Sequence, residues 1–354
     1  MSLSIGIVGL PNVGKSSLFT ALTKKGGLAA NYPFATIEPN VGMVPVPDVR
    51  LETLARMDHP ARVIPAMVEF VDIAGLVEGA SQGEGLGNKF LANIRDTNAI
   101  CQVLRFFSDP NVEPVSKRVD PQHDADTINM ELILADMGTI ERALPRLEKE
   151  ARRGKEFALR FETAKKVYAG FEEEKRAIQL DLSSEEKLAI RELCLLTMKP
   201  MLYVANVDED KLNDPLPLID GQEPVAISAR IESELAEMDP EDAAIFMEEL
   251  GIEEGGLTRL IHAAYRLLGL QSFFTSGPDE TRAWTIPVGA KAPQAAGVIH
   301  TDFERGFIKA ETCAYEDYVS LGGEAGCRAA GKLRQEGKEY VVQDGDIMHF
   351  KFNV

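Results

Sequence analysis

The octapeptide GLPNVGKS, Gly9 to Ser16, constrains the fold of this 354-residue chain more than any other stretch. It follows the short, β-branched apolar run LSIGIVG and precedes SSLFTALTKK, which reads as a helix. A G-x-x-x-x-G-K-S loop in that setting aims successive backbone N–H groups, and the positive end of the following helix, at one point where phosphate oxygens can sit. Asn12, Val13, Gly14, Lys15, Ser16 and Ser17 are therefore candidate nucleotide-binding residues. Lys15 can reach the outer phosphates as a point charge, and the Ser16 hydroxyl can ligate Mg²⁺.

The rest of the chain has to supply a sheet for that loop. AMVEFVDIAG, AICQVLRFF, PMLYVANV and EPVAIS are further strand-like runs, and NKFLANIRDT reads as a helix. Strands alternating with helices predict a parallel sheet covered on both faces, an α/β class. Between Asn129 and about Lys199 the period changes. Ile133, Met137, Ile140, Leu144, Leu147 and Ala151 follow a heptad-like spacing, and Phe157, Phe161, Lys165 and Tyr168 continue roughly the same face. LSSEEKLAIRELCLLTMK then reads as another helix, with Ser183 or Ser184 as its N-cap. From about Gly277 the pattern turns strand-rich again in RAWTIPV, GFIKAETCAYEDYV and EYVVQDGDIMHFKFNV. Helical pieces fit near 297–304 and 322–334, and Asp344-Gly345 reads as a hairpin turn. Three parts are expected: a nucleotide-binding domain over 1–128 and 200–276, an inserted helical coiled coil over 129–199, and a small β+α domain over 277–354.

Composition narrows the partners. With 38 basic and 56 acidic residues the formal net charge is −18, so a surface built throughout for DNA is excluded. Residues 142–176 reverse that balance, with 11 Lys or Arg against 7 Glu, and offer a local basic face. The four cysteines form no Cys-x-x-Cys pair, which fits reduced thiols in a cytosol rather than a zinc site. No run approaches the roughly 20 apolar residues of a membrane span, and the N-terminus has no basic leader, so no membrane partner is expected.

Two elements complete the phosphate site. Asp72 ends the buried run MVEFVD, where its carboxylate can hold Mg²⁺, and Gly75 closes a D-x-x-G whose backbone N–H can face the γ-phosphate. Thr36, in NYPFATIEPN, is the candidate second Mg²⁺ ligand and γ-phosphate sensor. Farther on, NVDE (Asn206, Val207, Asp208, Glu209) stands where guanine-binding loops carry Asn-Lys-x-Asp, and Ser228 and Ala229 of ISAR match the last base-contacting loop.

Together these residues resemble GTPase-type P-loop NTPases, specifically the Obg-related YchF family of Obg-like ATPases. GLPNVGKSSLFTALT, NYPFATIEPN, VDIAGLVEGASQGEGLGNKFLANIR, NVDE, RAWTIPVGAKAP, VIHTDFERGFI and VVQDGDIMHFKFNV carry the likeness along the whole chain. It implies a G domain with an inserted coiled-coil arm and a C-terminal ubiquitin-like TGS domain. It also implies ribosome association, with the large subunit and rRNA as partners, a cytoplasmic location, and ATP preferred over GTP. Lys15, Thr36 and Gly75 are the expected catalytic positions; Ser16, Thr36 and Asp72 the expected Mg²⁺ positions. The residue after D-x-x-G is Leu76 in place of a water-orienting glutamine, so slow turnover is expected. A family loop of the form His-Val-Ser-Gly-Lys-Val reads PVSKRV here, with Pro114 at the histidine position. His123, nearby, reads as a solvated loop residue, and His300 as structural. Asn12 suggests K⁺ beside the phosphates, as in related P-loop proteins.

The base loop argues in the same direction. An aspartate at its last position accepts from guanine N1–H and the 2-amino group. Glu209 is one methylene longer, and adenine offers no such pair of donors. Val207 replaces the lysine stem with an apolar contact. A site that does not pair both guanine donors gives up most of its discrimination. The functional expectation is a slow ATPase switch. A GTPase of the same pathway and a nucleotide-dependent scaffold with negligible hydrolysis are the alternatives.

Overall fold

The computed structural model describes residues 3–26, 40–73, 86–109 and 118–353. Two compact units divide the chain: Met1–Gly42 with Glu69–Leu260, and Met43–Val68 with Ile261–Val354. Twelve strands are described, β1 Ser4–Val8, β2 Val41–Pro45, β3 Val63–Ile64, β4 Met67–Asp72, β5 Ala99–Arg105, β6 Met201–Asn206, β7 Val225–Ile227, β8 Leu270–Thr275, β9 Thr281–Pro287, β10 Phe307–Cys313, β11 Arg334–Glu336 and β12 Ile347–Phe352.

The first sheet has the order β2-β4-β1-β5-β6-β7, and from β4 to β7 its pairings are parallel. Every residue of β1 and β5 is buried, as continuous apolar runs in the middle of a parallel sheet must be. β2 alternates half-buried and buried residues, the signature of an edge with one covered face, and its short VGMVP did not stand out among the sequence signals. Register gathers the carboxyl ends of five strands at one edge of the sheet: Ile7 opposite Asp72, Val8 opposite Gln102, and Arg105 opposite Asn206, itself opposite Ile227. In open α/β sheets the ligand crevice lies beyond those ends. This is the P-loop α/β fold.

The inserted helices Pro121–Ala151 and Lys155–Glu172 are joined by three residues and pack along one another. Ile133, Ile140 and Leu147 are fully buried in the seam, with Met137 and Leu144 beside them, as the heptad spacing required. The second helix departs from expectation. Its seam runs through Phe161, Ala164, Val167, Tyr168 and Phe171, while Lys165 points outward to Glu162. A charged side chain stays in water when small and apolar neighbours can fill the seam. Ser183 caps a helix over Ser184–Ala189 through a capping box with Glu186, but that helix stops early. Cys194 takes a left-handed conformation, and the buried Asp136 carboxylate accepts from the N–H groups of Leu196 and Thr197 and from the Thr197 hydroxyl. The α-helix is already capped at Ile190, and beyond it those backbone donors are spent on Asp136, so no α-helix resumes. Nearby, Asp220 accepts from Arg176, Asn129 and Tyr203, tying the insertion to β6; burial and this bond push the Tyr203 hydroxyl pKa up.

The second unit contains a mixed sheet of order β11-β10-β12-β8-β9-β3. Phe273, Phe307, Met348 and Phe350 form its core with Ala292, Ala295 and Ala296 of helix Ala292–Ile299, a β-grasp arrangement. Two sequence expectations change here. AYEDYV after β10 is a helix, Tyr315–Ser320, in place of a continued strand. Asp344-Gly345 is a turn leading into β12, with Gly345 at φ 90°, but no hairpin, because β12 pairs with β10 and β8 rather than with the segment before the turn. His300 is structural: it caps helix Thr301–Arg305 by accepting from the Asp302 N–H.

Candidate nucleotide site

The loop after β1 turns through Asn12 at φ 65° and Gly14 at φ 91° before the helix Lys15–Gly26 begins. Positive φ at both positions bends the backbone so that consecutive N–H groups converge, an anion-binding concavity. Gly14 is required twice over. A side chain there would be strained at that φ, and its Cβ would run into Asn206 Nδ2. Val13 is buried under the loop, whereas Asn12, Ser16 and Ser17 face solvent.

Lys15 is 9% exposed and its ammonium contacts the Asp72 carboxylate at the end of β4. An ammonium and a carboxylate at the mouth of an anion cradle are the groups that phosphate and a hard cation each need. Ser16 contributes a hydroxyl one residue away. The donor set of Ser16 and Asp72 is all oxygen, which fits Mg²⁺ and disfavours softer metals. Among the described residues no group of three or more His, Cys, Asp or Glu side chains gathers as a metal site. Thr36 and Gly75, the other two expected members, lie outside the described residues, as do Leu76 and Pro114. His123 stands in the first turn of helix Pro121–Ala151, where its N–H donates to the cap residue Asp120.

Asn206 joins the phosphate loop to the base loops. It is 7% exposed; its Nδ2 donates to the Val13 carbonyl at 2.9 Å and its Oδ1 accepts from the Ala229 N–H at 3.0 Å. Val207 is buried, and its N–H donates to the Ile227 carbonyl. Ser228 is the N-cap of helix Ala229–Leu235, its hydroxyl accepting from the Ile231 N–H at 3.5 Å. Glu209 is half-exposed and pairs with Arg230 Nε at 2.9 Å; Arg230 also approaches Glu234 at 3.4 Å. These residues line one open cleft of about 1180 Å³ that also takes in Asn12, Gly14 and Ser17.

Phe107, Ser108 and Lys211 also line the cleft and are not among the sequence candidates. Phe107 stands in the cleft wall with the Arg105 guanidinium 4.4 Å from its ring centre, a ready apolar face. Ser108 donates its N–H to both Asp208 carboxylate oxygens at 3.3 Å, and Lys211 pairs with Asp208 at 2.9 Å. AICQVLRFF marked this segment only as a strand; that its last residues reach the cleft follows from Arg105 lying opposite Asn206.

Comparison with known proteins places this geometry. A model described as 50S ribosome-binding GTPase matches residues 4–136, and a YchF GTPase C-terminal model, described as a protein of unknown function, matches residues 270–353. A protein named ribosome-binding ATPase YchF from Bacillus subtilis is 53% identical, with 100% of each chain covered. A Haemophilus influenzae protein of the same name is 54% identical, also over 100% of both. The solved structure of the Schizosaccharomyces pombe YchF GTPase superposes with a TM-score of 0.90 at 40% identity, covering 99% of this chain and 98% of that one.

Proposed function

The chain belongs to the YchF family, and on that premise we propose that it is a Mg²⁺-dependent P-loop ATPase that hydrolyses ATP to ADP and phosphate slowly and works as a ribosome-associated switch. The observation that carries the nucleotide reading is the double hydrogen bond of Asn206, which holds the phosphate loop and the Ser228–Ala229 loop in one frame. The backbone amides of the loop bind the α- and β-phosphates, and Lys15 exchanges the Asp72 carboxylate for phosphate oxygens when nucleotide arrives. Bound Mg²⁺ neutralises phosphate charge; Ser16 and Asp72, with Thr36, are the residues to hold it. Asn12 at the loop tip is the residue to hold K⁺.

Adenine preference rests on the base loop. Glu209 is drawn sideways to Arg230, so its two oxygens do not present a clean bidentate acceptor for guanine. Val207 and Phe107 supply apolar contact that any purine accepts. The names of relatives differ on this point, ATPase for the bacterial proteins and GTPase for the yeast structure, so a GTPase reading stands as the competitor. The inserted hairpin over 129–199 is the proposed coiled-coil arm and 277–354 the proposed TGS domain, both docking surfaces. The basic stretch 142–176 suits rRNA of the large subunit. Among the described residues no helix is long and apolar enough to cross a membrane, and a cytoplasmic location accords with a ribosomal partner.

Measuring ATP and GTP affinity side by side, with phosphate release against a Lys15→Ala control, tests the assignment. ATP binding about tenfold or more tighter, with release above the control, is expected. A strong GTP preference overturns the base assignment, and no release above the control overturns the enzymatic one. Cosedimentation with ribosomes that weakens as salt rises tests the partner, and no association at low salt defeats it.

A further inference from the structure

We propose that Cys313 and Cys327 form a reversible intrachain disulfide when the protein meets a disulfide oxidant. Fourteen positions apart in sequence, they have Sγ atoms 2.7 Å apart, between the roughly 2.05 Å of a disulfide and an ordinary contact of two sulfurs. The approach is built by two independent backbone frames. Cys313 ends β10, where it lies opposite Ile347 of β12. Cys327 sits in helix Glu324–Ala329; its N–H donates to Gly323 and its carbonyl accepts from Lys332 and Leu333. About 0.6 Å of further approach brings the sulfurs to bonding distance.

Access is one-sided. Cys313 and Cys327 are 1% and 0% exposed, but Cys313 lines a cleft of about 470 Å³ together with Trp284 and Tyr318. Cys313 is therefore the attacking thiol and Cys327 the resolving one. The Cys313 thiolate attacks one sulfur of glutathione disulfide and releases a first glutathione thiolate. Cys327 loses its proton and attacks the Cys313 sulfur of the mixed disulfide, releasing the second. Two protein thiols are oxidised to one disulfide, one glutathione disulfide is reduced to two glutathione thiols, and the two cysteine protons pass to the leaving thiolates. Burial, the bond to Cys327 and the nearby Asp317 push the Cys313 thiol up to about 12, with Arg334 opposing, so the exchange is slow at neutral pH.

The experiment exposes the full-length protein to glutathione disulfide, quenches in acid, and alkylates under denaturing conditions. The sequence between Lys309 and Arg328 contains no other Lys or Arg, so trypsin releases residues 310–328 as one peptide holding both cysteines. In that peptide the alkylated cysteines should fall from two to none, leaving it lighter by two hydrogens than the reduced peptide and restored by dithiothreitol. In Cys313→Ala or Cys327→Ala the peptide should not show this loss. Two alkylated cysteines in the peptide after prolonged oxidation, a stable glutathione adduct without closure, or a link between separate chains each overturn the proposal.

Discussion

Replacing Asn206 by alanine should damage the phosphate loop and the base loop at once. The side chain makes two hydrogen bonds in a nearly dry position, to the Val13 carbonyl and from the Ala229 N–H. Truncation leaves both backbone groups without partners, and each orphan costs about 1–3 kcal/mol. Ala229 starts a helix beside the open cleft, so water can reach its N–H and its share lies at the low end. A total of about 2–4 kcal/mol follows from those two orphans. The same loss loosens Gly14, whose backbone approaches Asn206 too closely for any side chain. With that whole cost falling on binding, affinity for ATP and GTP should fall together by about 25-fold to 700-fold, at roughly 1.4 kcal/mol per decade. The ratio between them should hold, because both lost contacts are to protein backbone. Calorimetric titration reads the affinities, and hydrogen exchange over 226–235 reads the local stability. Trp284, the single tryptophan, reports separately on the second unit and should be unaffected. Unchanged exchange over 226–235, or weakened binding of one nucleotide only, would refute the claim that Asn206 works by holding two loops in one frame.

Asp220→Ala should cost about 3–5 kcal/mol in chemical unfolding of the first unit, since it strands the buried Arg176 guanidinium; Asp220→Ala combined with Arg176→Met should recover part of that loss. Val207→Lys with Glu209→Asp should move the ATP-to-GTP affinity ratio toward GTP by about tenfold or more, as restored polar readout of guanine requires, and an unmoved ratio would count against the base-loop assignment. Asp136 yields a pH signature. Burial, outweighing its bonds from Thr197 and Leu196, raises its folded pKa above the usual aspartate value, so the folded state binds the proton more tightly than the unfolded one. Its stabilising contribution is then complete below the ordinary aspartate pKa and is lost as pH rises through the raised folded value. Unfolding free energies measured across that acid range should decline with pH in the parent and more weakly in Asp136→Asn.

Much of this was legible because strong local signals coincide. A buried β-branched run, a Gly-rich loop and a helix in direct succession admit few folds, and β1 with Gly14 and Lys15 stands where that succession implied. The heptad seam through Ile133, Ile140 and Leu147 was equally readable, since burial along a helix leaves a period. Lys165 leaves the seam because its spacing fits but its charge does not, and it turns to Glu162 in water. That no α-helix resumes after Cys194 had no local sign, as it depends on Asp136, some sixty positions earlier, capturing two backbone donors. Cys313 and Cys327 meet for the same kind of reason: strand pairing and a helix bring them together, and their spacing matches no motif.

The base loop shows where such legibility ends and what takes its place. On the proposed reading NVDE leaves guanine's two donors without their aspartate, but Arg230 lies 21 positions beyond Glu209, and nothing local marks it as a partner. The pair is exposed, so it is worth only about 0–1 kcal/mol and cannot by itself select a base. On the proposed reading, selection against guanine comes instead from an N1–H and a 2-amino group left without the paired acceptors of an aspartate, a loss that exceeds the pair's own strength. Arg230→Ala separates the two contributions. Freeing Glu209 should shift the ATP-to-GTP ratio by no more than about fivefold, the equivalent of that 0–1 kcal/mol. A shift of the size expected from Val207→Lys with Glu209→Asp would mean that Arg230, and not the length of the Glu209 side chain, sets the preference.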